Sequence, residues 1–157
     1  MKVILSILLI ATFTFAKDFT YFLPQDSSKL KAHIENLIDT STKSIDIAMY
    51  NFSYKKFAKL LNQAVKREVT VNVIFDKHKV ETDKDSRYKY LKNKGIHSYL
   101  SDKKMHLKIA LFDNKVAILG SLNWTKASFN DNYEIVHITD NINVISKSQK
   151  IFKELKK

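Results

Sequence analysis

The sequence contains no cysteine. That excludes disulfide cross-links, thiolate metal sites and a cysteine nucleophile. It has 2 glycines and 1 proline. Collagen-like and linker-rich architectures are therefore out. Neither G-x-G-x-x-G nor a P-loop can be written with so few glycines. Acidic residues are the minority charge, 16 Asp+Glu against 27 Lys+Arg, for a formal net charge of +11. A strong basic excess points to a polyanionic partner, nucleic acid or an anionic membrane surface. What is present is enough for one ordinary domain. The chain has 157 residues, 45% of them apolar. It is too short for a complete α/β barrel and apolar enough to form a core.

The first sixteen residues read as an address. Lys2 is followed by an uncharged run from Val3 to Phe15, and Thr14 and Ala16 are small residues placed as at a cleavage site. This pattern matches a signal peptide over residues 1–16, with a retained N-terminal anchor as the alternative. The run is short for a spanning helix. The expectation is an exported protein, periplasmic or secreted, whose domain covers residues 17–157. It meets a membrane only if the N-terminal segment is kept.

The rest alternates between two periodicities. Thr20–Leu23, Ser44–Phe52, Val69–Phe75, Ile96–Leu100, Met105–Asp113, Val116–Leu119 and Tyr133–Thr139 read as strands. Leu30, Ile34, Leu37 and Ile38 follow Asp26-Ser27-Ser28 at helical spacing. Tyr54–Glu68, Ser86–Lys94 and Ile142–Leu155 are the other expected helices, and Asp76–Asp85 reads as a charged loop. In the last helix, Val144, Ile145, Ile151, Phe152 and Leu155 are expected to face inward. A turn is expected at Asn114-Lys115. The expected fold class is α/β: one domain, with a mixed sheet flanked by helices on both faces.

One stretch concentrates reactive side chains. His106 and Lys108 alternate with Leu107 and Ile109, so the two polar groups share one face of a strand. A His and a Lys in an otherwise apolar strand are costly unless they face a cleft. Ser121 and Asn123 follow the next strand with the same two-residue spacing. A strand–turn–strand hairpin would bring all four together. An imidazole, an ammonium, a hydroxyl and a carboxamide converging on one spot suit a tetrahedral anion.

The spacing His-x-Lys, four residues, Asp, six residues, Gly-Ser-x-Asn resembles the signature of the phospholipase D superfamily. It stands here as His106, Lys108, Asp113, Gly120, Ser121 and Asn123. The likeness extends through SIDIAMYNFS, VNVIFD and NYEIVHI and is nearest to the short, secreted, single-motif bacterial endonucleases of the Nuc type. It implies a phospholipase D-like fold. It also implies a homodimer, because most of the superfamily carries two motifs per chain and this sequence carries one. In the mechanism so implied, His106 attacks phosphorus and forms a phosphohistidine. His106 of the partner subunit protonates the leaving oxygen and then activates water. Lys108 and Asn123 bind the non-bridging oxygens. Ser121 bonds the phosphate or supports a neighbouring donor, and Glu134 orients the histidine. Asp113 and Gly120 belong to the motif with structural roles, and neither a metal nor another cofactor is required.

The substrate is less determined than the reaction. Lys77 to Lys104 holds nine Lys/Arg against four acids and leads straight into the motif. It reads as a track for a nucleic-acid backbone, with Lys77, Lys79, Lys103 and Lys104 as the contacts. Trp124 is either a base-stacking platform or packing in the core or at a dimer contact. Three readings follow: an endonuclease on DNA or RNA, a phospholipase D-type hydrolase of phospholipid, and a non-catalytic basic nucleic-acid-binding module. An intact His106, Lys108 and Asn123 argue against the third, since binding alone needs charge and no nucleophile.

Overall fold

A computed structural model describes residues 16–156. The expected signal segment lies outside them except for its last residue. Seven strands form one mixed sheet: β1 (Asp18–Leu23), β2 (Ser44–Met49), β3 (Thr70–Asp76), β4 (His97–Ser101), β5 (Lys108–Phe112), β6 (Val116–Gly120) and β7 (Glu134–Thr139). Their order across the sheet is β1-β7-β6-β5-β2-β3-β4. The β2–β3 and β3–β4 pairs are parallel, joined through helices, and the other pairs are antiparallel.

Helices cover both faces. α1 (Ser27–Thr40), α2 (Lys55–Lys66) and α4 (Tyr88–Asn93) pack on one side. There Leu30, Ile34, Ile38, Phe57, Leu61 and Leu91 meet Ile45, Ile47, Val73 and Phe112 of the strands. α6 (Ile142–Leu155) covers the other face, where Ile145 and Phe152 meet Ala48, Ile74, Leu111 and Ala117. Central strands buried on both faces read as continuous apolar runs, which is why β2 and β3 stand out in the sequence. Burying one large side chain contributes about 1.5–3 kcal/mol.

The second face also carries a polar ladder. Asp46, Asn72 and His97 are lateral neighbours on β2, β3 and β4. Asn72 Nδ2 donates to Asp46 Oδ1 at 2.9 Å, and Lys156 Nζ donates to the same oxygen. His97 Nδ1 lies 3.1 Å from Asn72 Oδ1. Every buried polar atom of the ladder named here has a partner, as burial demands.

Several boundaries differ from the sequence reading. Asp76–Asp85 is not a loop. Asp76 ends β3, and α3 (Lys77–Thr82) follows, capped by the Asp76 carboxylate accepting the Lys79 N–H at 2.8 Å. A further helix, α5 (Lys126–Asn130), starts where Thr125 accepts the Ser128 N–H at 3.0 Å. Elements of one turn and a half are too short to show an apolar period. β2 ends at Met49, and β5 begins only at Lys108, so His106 precedes the strand. Leu107, read as alternating with His106 and Lys108 in the strand, also precedes it and is 41% exposed. Ile151, also expected inside, is 39% exposed because α6 turns only Ile145, Ser148 and Phe152 fully inward. The β5–β6 turn is centred on Asp113-Asn114, with φ of 51° and 55°, one residue before the expected position. Two successive positive φ values make the tight turn that matches strand twist. Among the described residues no helix is long and apolar enough to cross a membrane.

Candidate active site

The sheet gathers the motif at one end. Met49 pairs with Lys108, Ile109 with Leu119, and Gly120 with Val136. The end of β2, the start of β5, the end of β6 and the start of β7 therefore meet. His106 and Lys108, Ser121 and Asn123, and Glu134 all stand on that edge. So does Tyr50-Asn51, which the sequence reading passed over. The only signal for these two was their place after a buried strand.

Tyr50 organises the first pair. Its N–H donates to the Leu107 carbonyl at 2.9 Å. Its ring meets the exposed His106 imidazole edge-on, with centroids 4.5 Å apart. Lys108 Nζ lies 5.1 Å from the same ring's centroid and donates to the His106 carbonyl at 2.9 Å. An ammonium over an aromatic face is held electrostatically while keeping donors for a ligand. Desolvation, then the Lys108 and Lys104 charges, hold the His106 pKa below the ordinary imidazole value, with Asp76 opposing. Burial lowers the Lys108 pKa, and the Glu134 carboxylate pulls it back up. The site is thus electropositive, with a histidine biased towards its neutral, nucleophilic form.

Asn123 is held on its oxygen side. Oδ1 accepts the Asn51 N–H at 3.2 Å, which leaves the amide NH2 as the free donor. Ser121 donates its hydroxyl proton to Glu134 and accepts the Ile135 N–H at 3.1 Å. Asn132 Nδ2 donates to the other Glu134 oxygen at 3.2 Å. The Ser121 proton is therefore committed to Glu134, an arrangement that favours support over direct phosphate contact. Glu134's partners within one chain are Ser121 and Asn132.

Asp113 lies at the opposite end of β5 from Lys108. Its carboxylate accepts the backbone N–H groups of Thr42, Lys43 and Ser44 at 2.7–3.2 Å, together with the Thr42 hydroxyl. Burial raises its pKa, but these donors outweigh it and the net shift is downward. It ties the β5–β6 turn to the start of β2. At Gly120 a Cβ would sit 2.1 Å from the Ile135 carbonyl oxygen, so only glycine allows β6 and β7 to approach there.

The lysines divide. Lys77, Lys103 and Lys104 line a groove of about 540 Å³ beside the histidine, together with Tyr50, His78 and the carboxylates Asp76, Glu81 and Asp102. Lys79 instead faces Asp83, at 3.4 Å. Trp124 is 1% exposed and packs edge-on against Phe52 and Phe57. It cannot stack a base, and the stacking role is withdrawn: the indole belongs to the core. His33 lies outside this site, half-buried and bonded through Nδ1 to the Tyr21 hydroxyl at 2.8 Å. Among the described residues no group of three or more His, Asp or Glu side chains is placed to hold a metal ion.

Comparison with known proteins identifies the family and the fold. The family model described as "Cardiolipin synthase, PLD-like domain" matches residues 34–156. Mitochondrial cardiolipin hydrolase of Xenopus laevis is 31% identical over 136 residues, covering 85% of this chain and 63% of the relative. The human protein of that name is 30% identical over 120 residues, covering 75% and 47%. The chain thus spans between about half and two thirds of these relatives' length. Among solved structures, NucT from Helicobacter pylori superposes with a TM-score of 0.82 at 24% identity, covering 90% of this chain and 96% of that one. Nuc from Salmonella typhimurium, a phospholipase D family member, gives 0.80 at 24%, covering 90% and 94%. With the motif residues brought to one end of such a sheet and a family model matched across most of its length, the chain belongs to the phospholipase D superfamily and shares its fold with the two Nuc structures.

Proposed function

We propose that this chain is a phosphodiester hydrolase, an endonuclease that cleaves DNA or RNA through a phosphohistidine at a site completed by a second copy. The observation that carries the reading is the convergence of His106, Lys108 and Asn123 at one sheet end, beside a groove to which Lys77, Lys103 and Lys104 contribute. A neutral His106 ring nitrogen attacks phosphorus, and the bond to the leaving oxygen breaks. The imidazolium of the partner's His106 gives its proton to that oxygen. Water then attacks phosphorus, losing a proton to the partner's His106, and the P–N bond breaks. Covalent catalysis of this kind splits one hard displacement into two. Lys108 and the Asn123 amide would stabilise charge on the non-bridging oxygens, so that no metal ion is needed for that task.

The dimer is supported by the rim. Phe22 and Ile135, cross-strand partners on β1 and β7, are 57% and 46% exposed, and Tyr133 is 88% exposed. They border the groove that contains Ser121 and Glu134. Apolar side chains left in water beside a reactive centre suit an interface between copies. The apolar run at Val3–Phe15 supports export.

Phospholipid is the second reading. It is favoured by the cardiolipin hydrolases among the relatives and by the same apolar rim, which would meet acyl chains. The deciding experiment incubates the full-length protein and its His106→Ala variant, in excess EDTA, with single- and double-stranded DNA, RNA, and cardiolipin or phosphatidylcholine vesicles. Nucleic-acid cleavage that persists in EDTA and vanishes in the variant is expected. Lipid cleavage alone would establish the second reading, and binding without turnover would leave a basic binding module.

A further inference from the structure

The segment after β2 borders two grooves. Tyr50 lines the one beside His106. Three residues on, Ser53 lines another, of about 490 Å³, with Lys55, Lys56, Arg87, Lys126 and Asn130. Its cations are not all engaged. Lys56 lies 2.6 Å from Glu35, and Arg87 lies 3.7 Å from Asp85. Among the described residues Lys55 and Lys126 form no ion pair. At the rim, Lys31 Nζ donates to Asn130 Oδ1 at 2.6 Å, which adds a further charge.

This second groove is built onto the reactive centre. The Ser53 and Tyr54 N–H groups donate to the Trp124 carbonyl at 3.0 and 2.8 Å. Trp124 directly follows Asn123, and Lys126, two residues further, opens α5. The Arg87 N–H donates to the Phe52 carbonyl at 2.9 Å. Three residues of extended chain span at most about 10 Å, so Tyr50 and Ser53 bring the two grooves within a few nucleotides of each other. The proposed chemistry at His106 uses none of the second groove's side chains. A single phosphodiester at His106 fills one spot. A cationic groove set off from that spot, with Lys55 and Lys126 outside any ion pair among the described residues, matches a substrate with phosphates repeated along a chain.

We propose that the Lys55–Lys126 groove is a second phosphate-binding subsite, holding the backbone of a polynucleotide a few nucleotides from the cleaved bond. The inference rests on the nuclease reading and assigns where phosphates flanking the cleaved bond are held.

The test compares full-length protein with the Lys55→Ser/Lys126→Ser double variant, and with Lys55→Arg/Lys126→Arg as the charge-keeping control. The substrates are a 20-nucleotide single strand and bis(p-nitrophenyl) phosphate, a diester too small to reach the groove. Losing two phosphate contacts should raise KM for the oligonucleotide by roughly tenfold and flatten the slope of log KM against log salt by about 1.4. Turnover of the small diester should hold, and the arginine control should behave as wild type. If the wild type cleaves the oligonucleotide and the serine variant keeps its KM and salt slope, this inference falls alone. If both substrates suffer equally, the groove serves the fold and the inference also falls. A wild type that hydrolyses the small diester but no oligonucleotide overturns the nuclease reading and this inference together.

Discussion

The Ser121 hydroxyl donates to the Glu134 carboxylate and at the same time accepts the Ile135 N–H. One side chain thus fixes the acid and the strand that carries it. Ser121→Ala should lower kcat by about 10–100-fold with KM little changed, the range seen when a group that orients an active-site ligand is removed. Steady-state kinetics on an oligonucleotide check this. A large rise in KM with unchanged kcat would instead mean that Ser121 binds substrate directly.

Glu134 also acts on Lys108 through space. Its charge opposes the burial that lowers the Lys108 pKa. Glu134→Gln keeps the shape and removes the charge, so the Lys108 pKa must fall further. Where turnover needs the ammonium, activity is lost as pH rises through that pKa. The alkaline limb of kcat/KM should therefore move to lower pH in Glu134→Gln. An unmoved limb would separate Lys108 from the step that limits the rate.

His106 titrates below an ordinary imidazole because of desolvation and the Lys108 and Lys104 charges. Its neutral form therefore persists to lower pH than in a free peptide. Lys104→Ala removes one repelling charge and should raise the midpoint, so the acid limb of activity moves up in pH. An NMR titration of the His106 ring protons reads the same shift without turnover. His106→Ala should cut activity by more than about 10³-fold, as losing a nucleophile does.

Asp113 contributes to stability rather than to chemistry. Asp113→Ala frees three backbone N–H groups and loosens the turn, at a cost of about 3 kcal/mol for a charged acceptor with several donors. The folded-state pKa is depressed, so this contribution is present above the unfolded carboxylate pKa and is lost as pH falls through the folded one. Chemical denaturation from neutral to acid pH should show wild-type stability falling towards that of the variant.

The spacing of His106, Lys108, Ser121 and Asn123 was legible because a hairpin converts spacing into proximity, and β5–β6 is such a hairpin. The apolar runs of β2 and β3 were legible because both faces are buried. Tyr50 and Asn51 were not legible: their roles come from β2 pairing with β5, a contact between positions nearly sixty residues apart. Trp124 was ambiguous for the opposite reason. An aromatic beside a motif looks available until the packing of Phe52 and Phe57 closes over it. The cationic track resolved in part, since Lys79 is engaged by Asp83 one helical turn along.

The exposed pair Phe22 and Ile135 bears most directly on the proposed two-chain site. The two are cross-strand neighbours on β1 and β7, and Ile135 adjoins Glu134. In a two-fold interface any substitution appears twice, facing itself or its surroundings. Ile135→Glu places a new carboxylate on each copy where apolar surface would be covered, and burying an unpaired charge is strongly unfavourable. Sedimentation should show wild-type dimers and variant monomers. The Ile135 side chain already faces solvent in the single chain, so the monomer's fold and melting temperature should change little. Its nuclease activity should fall by more than about 100-fold, because one imidazole is left to serve as both nucleophile and acid. In the wild type, specific activity should rise with protein concentration through the dimer dissociation range. A monomeric variant with full activity would end the two-chain mechanism, since one His106 would then suffice for both displacements.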